Sequence, residues 1–207
     1  MRLTSVLLVL LTAAAAGQSA ADLDPDSHAR LPYLQRSDMD EKSQPLFDVL
    51  PGRTKEGVLK GPLAFAGYNP AAAKALFELH NAAVGGTLNP HVRELAIMVA
   101  CRETNYNLEW NGHEATALKS GVDAKTLDVV RKRGALTGLD EKDALVIKFG
   151  RQMFTDKKMD SATFAKAVEF FGKRGAMDMV AVMNTYAVSG FFAIAVDEHP
   201  APGKSPL

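Results

Sequence analysis

The chain has 207 residues, with 24 basic and 24 acidic side chains and 47% hydrophobic residues. That size and apolar content fit one globular domain with a real core, and exclude a disordered or fibrous chain. Balanced charge gives no electrostatic reason to expect nucleic acid or an anionic membrane surface as partner, and a single cysteine, Cys101, excludes an internal disulfide or a Cys-based zinc cluster.

The first 21 residues read as a targeting segment. Arg2 supplies positive charge, Val6 to Ala16 is an apolar run too short to span a bilayer comfortably, and Ser19-Ala20-Ala21 offers small residues for cleavage before Asp22. The expectation is a secretory signal peptide over 1–21 and a mature chain in the periplasm or outside the cell. An uncleaved anchor is the alternative. No later stretch is apolar for long enough to be read as a transmembrane helix, so no membrane contact is expected after cleavage.

Residues 22–60 form an irregular, polar N-terminal extension. Arg30 to Leu34 reads as an extended strap, Glu41 to Leu50 as a short helix stopped by Pro51-Gly52, and Gly61 to Tyr68 as a loop or turn. Asn69-Pro70 then opens a helix over Ala71–Val84, with Ala72, Ala75, Leu76, Leu79 and Ala83 as its apolar positions. Asn89-Pro90 repeats the device for a helix to about Arg102, with Val92, Leu95, Ala96, Val99 and Ala100 as a buried stripe. Asn107 is the expected cap of the next helix, which Ser120-Gly121 ends. Asp123 caps a helix to about Arg133, Asp140 one from Glu141 to about Thr155, and Asp160 or Ser161 one ending near Gly172.

The last helix, Ala176 to about Val196, is apolar nearly all round, which predicts burial at the centre or between subunits. Its Met and Phe residues suit packing across an interface, so a homo-oligomer is expected. No alternating strand pattern exceeds a few residues. The fold class is therefore all-α, with about seven helices, an irregular N-terminal strap and a helical domain over 61–207.

The stretch Asn105 to Glu114 concentrates chemistry. It holds the one Trp, a His and two carboxylates. Glu109 and His113 are four apart and so share a helix face one turn apart. Tyr106 lies just before that face. A carboxylate, an imidazole and a phenol at the start of a helix form an acid/base constellation. An ordinary helix pair, with Trp110 as packing, is the plain alternative. Glu94 sits among apolar neighbours, either exposed beside Arg93 or Arg102 or buried with a partner that sets its pKa. His91 reads as a surface residue and His80 as a complement to its helix dipole. A metal is not expected: Glu109, His113 and Glu94 lack a second His at helical spacing.

The run Arg93-Glu94-Leu95, then Glu109-Trp110-x-x-His113, then Ala117-x-x-x-Gly121, resembles the carboxymuconolactone decarboxylase family with its AhpD-like fold. The likeness is clearest over residues 60–135 and weaker through the last helix. A peroxidase branch carries Cys-x-x-Cys-x-x-x-His. Here those cysteine positions are Tyr106 and Glu109, so dithiol peroxide reduction has no nucleophile. The decarboxylase branch has Glu-x-x-x-His, kept as Glu109 and His113.

That resemblance implies loss of CO2 from a lactone acid with proton delivery to an enolate, needing no cofactor. His113 is then the general acid/base, Glu109 its orienter or a proton carrier, and Glu94 a relay behind it. From proximity alone, Tyr106 is expected to meet an oxyanion, Arg93 or Arg102 to clamp a substrate carboxylate, and Trp110 to wall the pocket. An exported chain does not suit intracellular aromatic breakdown. The expected activity is therefore a lyase, decarboxylase or isomerase on a small lactone or oxygenated acid. The competing expectation is a non-catalytic secreted oligomer that binds a small ligand.

Overall fold

The computed structural model describes residues 22–200 and Leu207. The expected signal peptide and residues 201–206 of the Pro-rich tail lie outside the described residues. Helix starts follow the capping residues. Asn69 Oδ1 accepts the Ala72 amide at 3.2 Å and opens α3 (Pro70–Val84). Asn89 Oδ1 accepts the Val92 amide at 2.9 Å and opens α4 (Pro90–Glu103). In both, the Pro at the first helical position has no amide to leave unsatisfied. Asp123, Asp140 and Asp160 accept first-turn amides of α6 (Ala124–Arg131), α7 (Glu141–Arg151) and α8 (Ser161–Ala195).

The helix carrying the chemistry departs from expectation at its start. α5 spans Asn107–Lys119, so Asn107 is its first residue and Tyr106 holds the cap position without a side-chain bond. Asn105 takes a left-handed φ of 54°. The turn it makes lets the Tyr106 amide reach back to the Cys101 carbonyl at 2.7 Å. That closure sets where α5 begins.

The central helix is α4. Every residue from Glu94 to Cys101 is buried, against α5, α7 and α8. The sequence offers the last helix either that place or one between subunits. α8 instead bends at Gly172, where a φ of 69° is open to glycine, and its second half lays one apolar face on α3 and α4. Val188, Phe191 and Ile194 stay exposed, Phe191 at 60%. By length and hydropathy α8 reaches the range of a membrane-crossing helix, contrary to the sequence expectation, but 56% of its most apolar window is buried inside the molecule.

The extension is a packed unit. β1 (Leu34–Gln35) pairs antiparallel with β2 (Val58–Leu59), and α1 covers Gln44–Phe47. The segment read as a loop contains α2 (Pro62–Ala66), held because Ala64 and Ala66 bury against α8 and α3. Leu34, Phe47, Leu50, Leu59, Leu63 and Leu76 form a second core that joins extension to domain. α7 ends four residues short of the expected Thr155. Residues Gln152–Asp156 wind as a π-helical turn, tied by the Gln152 side chain to the Asp160 amide at 3.2 Å.

α7 approaches α4 through Gly150, where an added methyl carbon would lie 2.3 Å from Val99 Cγ1. Helix propensity favours Gly150→Ala by about 1 kcal/mol, but overpacking costs about 1–3 kcal/mol. The expected outcome is a lower urea midpoint with an unchanged slope.

Candidate active site

Glu94 projects from the middle of α4, 5% exposed. A carboxylate taken out of water needs a partner, and α5 supplies one. His113 Nδ1 lies 2.9 Å from Glu94 Oε2, and its Nε2 lies 3.3 Å from Glu109 Oε2. The four-residue spacing of Glu109 and His113 stacks them on one face, as expected. Arg93 Nε stands 3.8 Å from Glu94 Oε1, so Glu94 is buried between two positive groups. Burial by itself lowers the His113 pKa. The hydrogen bonds and charges of Glu109 and Glu94 outweigh it and push the imidazole up to about 9. At neutral pH His113 is an imidazolium shared by two carboxylates.

Glu109 and His113 line a cavity of about 330 Å3 with a mainly apolar wall. Its other sides come from the extension, through Pro51, Gly52 and Lys60, from Gly61 and Leu63 at the start of α2, and from α3 and α8. α3 gives Leu76 and His80. The buried positions of α3 are Ala73, Leu76 and Ala83, so His80 falls inside the stripe rather than beside it. Burial lowers its pKa, against the pull of Glu109, and keeps the ring neutral. α8 gives Thr185, Tyr186 and Ser189. The Tyr186 ring meets His113 edge-on at 5.0 Å.

His80, Tyr186, Thr185 and Ser189 were missed from sequence. The signal for the last three was present: hydroxyls at i, i+1 and i+4 interrupt an otherwise apolar helix. Thr185 and Ser189 satisfy theirs on the carbonyls one turn back, at 2.8 and 3.0 Å.

Other residues named from proximity lie elsewhere. Tyr106 is buried outside the cavity lining, its hydroxyl without a hydrogen-bond partner among the described residues and its ring against Gly190. Trp110 is buried, donates to Glu114 at 3.3 Å and carries the Arg131 guanidinium over its ring at 5.0 Å. Arg102 binds the Arg131 carbonyl at 2.6 Å, at the far end of α4. His91, read as a surface residue, is instead half-buried against Asp143, with Nε2 and Oδ1 2.6 Å apart, and Asp143 also accepts from Thr126. That link ties the starts of α4, α6 and α7 together. Glu198 is a further missed group. Its carboxyl oxygens are buried and without a hydrogen-bond partner among the described residues, and burial with the Glu109 charge raises its pKa to about 7.

Residues 70–147 match the carboxymuconolactone decarboxylase family model. The likeness to that family runs from α3 into α7. No curated relative matches the sequence. The family segment holds Glu94, Glu109, His113 and His80, whereas Lys60 and Tyr186 lie outside it. Among the described residues, no group of three or more His, Cys, Asp or Glu is arranged to hold a metal ion. Cys101 is fully buried, and burial pushes its thiol well above the ordinary range. The family domain here offers no thiolate near its cavity.

Three measurements follow from this geometry. His113 binds its proton more tightly folded than unfolded, so its contribution to stability is complete below the ordinary value of 6.5 and lost as pH rises through about 9. Denaturant titrations across that window are expected to lose on the order of 2 kcal/mol, after allowance for partial exposure. NMR titration of Glu109→Gln is expected to show the His113 ring releasing its proton at lower pH than in the parent. Tyr106→Phe removes a buried hydroxyl that has no partner among the described residues, so its stability by urea titration is expected to match or exceed the parent by up to about 1 kcal/mol.

Proposed function

We propose that the protein is an exported, cofactor-independent enzyme of the lyase, decarboxylase or isomerase kind, moving protons on a small lactone or oxygenated carboxylic acid. The supporting observation is one imidazolium held between Glu94 and Glu109 at the wall of a mainly apolar cavity. Glu94 fixes the ring through Nδ1, which leaves Nε2–H and the Glu109 carboxylate facing the same space. That pair can act on a carbonyl and its neighbouring carbon together.

In an isomerisation, Glu109 takes the proton from the carbon beside the carbonyl. The C–H electron pair moves into an enolate, whose oxygen accepts a hydrogen bond from His113 Nε2–H. Return of the proton at a second carbon completes the change. In a decarboxylation the C–C bond breaks instead, CO2 leaves, the pair enters the same enolate, and a proton from His113 restores the C–H bond. A wall poor in polar groups favours the step that disperses charge. Peroxide reduction is disfavoured, since Tyr106 and Glu109 stand at the thiol positions and Cys101 is buried.

Export rests on the apolar run and small residues before Asp22. Self-association rests on the exposed Val188, Phe191 and Ile194 of α8. The alternative, a non-catalytic secreted oligomer that binds a small ligand, uses the same cavity without its acid/base pair.

Incubation with lactones and keto acids in deuterated water, followed by NMR, separates the two. The parent is expected to exchange a carbon-bound proton. His113→Ala and Glu109→Gln are each expected to lose about 10²-fold or more of that rate while keeping ligand affinity and fold. Equal exchange in parent and variants would remove the catalytic reading.

A further inference from the structure

Lys60 is the one Lys or Arg among the residues lining the cavity. The other charged groups there, Glu109 and His113, are already paired with each other. Among the described residues no carboxylate lies within 4 Å of the Lys60 ammonium. Its closest recorded interaction is with the face of Tyr33, at 5.3 Å from the ring centroid. Lys60 is exposed, feels Glu56 only through longer-range attraction and forms no ion pair among the described residues, so its ammonium is open to a ligand carboxylate at the mouth of the cavity.

Lys60 is held by a built framework. Its amide donates to the Gly52 carbonyl at 3.0 Å. Gly52 and Gly61, at φ of 92° and 82°, turn the chain on either side of the rim. A side chain at Gly52 would come 2.4 Å from the Lys60 carbonyl oxygen, so the approach of the two strands is specific to glycine. Beneath, Leu59 and Leu63 anchor the rim in the second core, and Tyr33 stacks on Phe65 with centroids 6.0 Å apart.

We propose that Lys60, contributed by the N-terminal extension, anchors the carboxylate of the substrate. It thereby selects small carboxylic acids whose reactive, carbonyl-activated carbon lies at the end remote from that carboxylate. This rests on the proton-transfer reading above and assigns polarity to it. The acid group sits at the extension, away from the Glu109 carboxylate that would repel it. The uncharged carbonyl end then meets His113 and Glu109. Where the reaction is a decarboxylation, the carboxylate that leaves is a second one. The extension, outside the family segment, is in this view the selecting wall of the site.

The test uses the full chain with two probes, levulinate and 5-oxotetrahydrofuran-2-carboxylate, and their methyl esters as uncharged controls. Binding is followed by NMR on the protein, and deuterium exchange on the probe. Each acid is expected to bind about tenfold more tightly than its ester, as one charge-assisted contact provides. Lys60→Gln is expected to reduce that preference to within about twofold, and Lys60→Arg to keep most of it. Ester binding should be the same in all three proteins.

An acid preference unchanged in Lys60→Gln overturns the proposal. So does failure of both acids to bind, or shifts confined to the separate depression around Arg133, Lys148 and Arg151. Loss of exchange in every protein, with the acid preference still dependent on Lys60, overturns the enzymatic reading and leaves the anchor standing.

Discussion

A carboxylate in the most enclosed helix of the bundle governs how the rest is arranged. Glu94 is buried midway along α4, where desolvating an ion costs several kcal/mol even after relaxation. Only a hydrogen-bonded cation nearby offsets that, and His113 Nδ1 at 2.9 Å provides it. The contact fixes the register of α5 against α4, and with it the direction of the second ring nitrogen. Buried pairs of this kind are seldom the most stable solution, since apolar side chains of similar volume often serve as well or better. A pair retained at a cavity wall, with one nitrogen facing the opening, is better explained by chemistry than by stability. The raised imidazole pKa has the same origin. The protein holds a proton at the cavity that it would release near neutrality if unfolded.

How much of this was legible in the sequence follows from the range of each interaction. Asn-Pro and Asp caps act within three residues, and the helices they open lie where the sequence puts them. The Glu109–His113 pair is likewise local, one turn along one helix. Glu94 was seen as a group whose partner decides its state, but the partner is nineteen residues away, and the motif resemblance linked them rather than any local rule. The apolar positions read for α3 share Leu76 and Ala83 with the buried face but include the exposed Ala75 and Leu79, which leaves His80 beside that face in the reading. The observed Ala73–Leu76–Ala83 face includes it. The His91–Asp143 contact spans 52 residues and leaves no local trace. Alanines hold α2 helical through burial against α8, which propensity alone does not reveal.

The cavity is a product of three segments that do not act alone. The family segment brings the acid/base pair and His80, α8 brings hydroxyls and the Tyr186 ring, and the extension brings the rim. The shared core of Leu34, Leu59, Leu63 and Leu76 makes the rim continuous with the domain rather than a loose strap. Its two short strands would be marginal in isolation. Packing against α2 and α3 gives them a fixed place. A glycine at position 52 lets the chain pass close to Lys60. Variation in this segment would therefore change which ligands enter without disturbing the proton-moving pair.

The two positions at which a related chemistry needs thiols show how a scaffold can exchange one reactive group for another. Tyr106 occupies the first, with its ring accommodated because Gly190 has no side chain. An added carbon there would sit 3.1–3.2 Å from ring atoms. The bulk of the phenol closes that position to reactive chemistry and leaves its hydroxyl buried. Glu109 occupies the second and faces the cavity. A thiolate there would be a nucleophile and electron donor, whereas a carboxylate has no redox chemistry and, 3.3 Å from an imidazolium, is placed to accept or return a proton. With Tyr106 and Glu109 at those positions, α5 offers His113 a carboxylate partner and no sulfur.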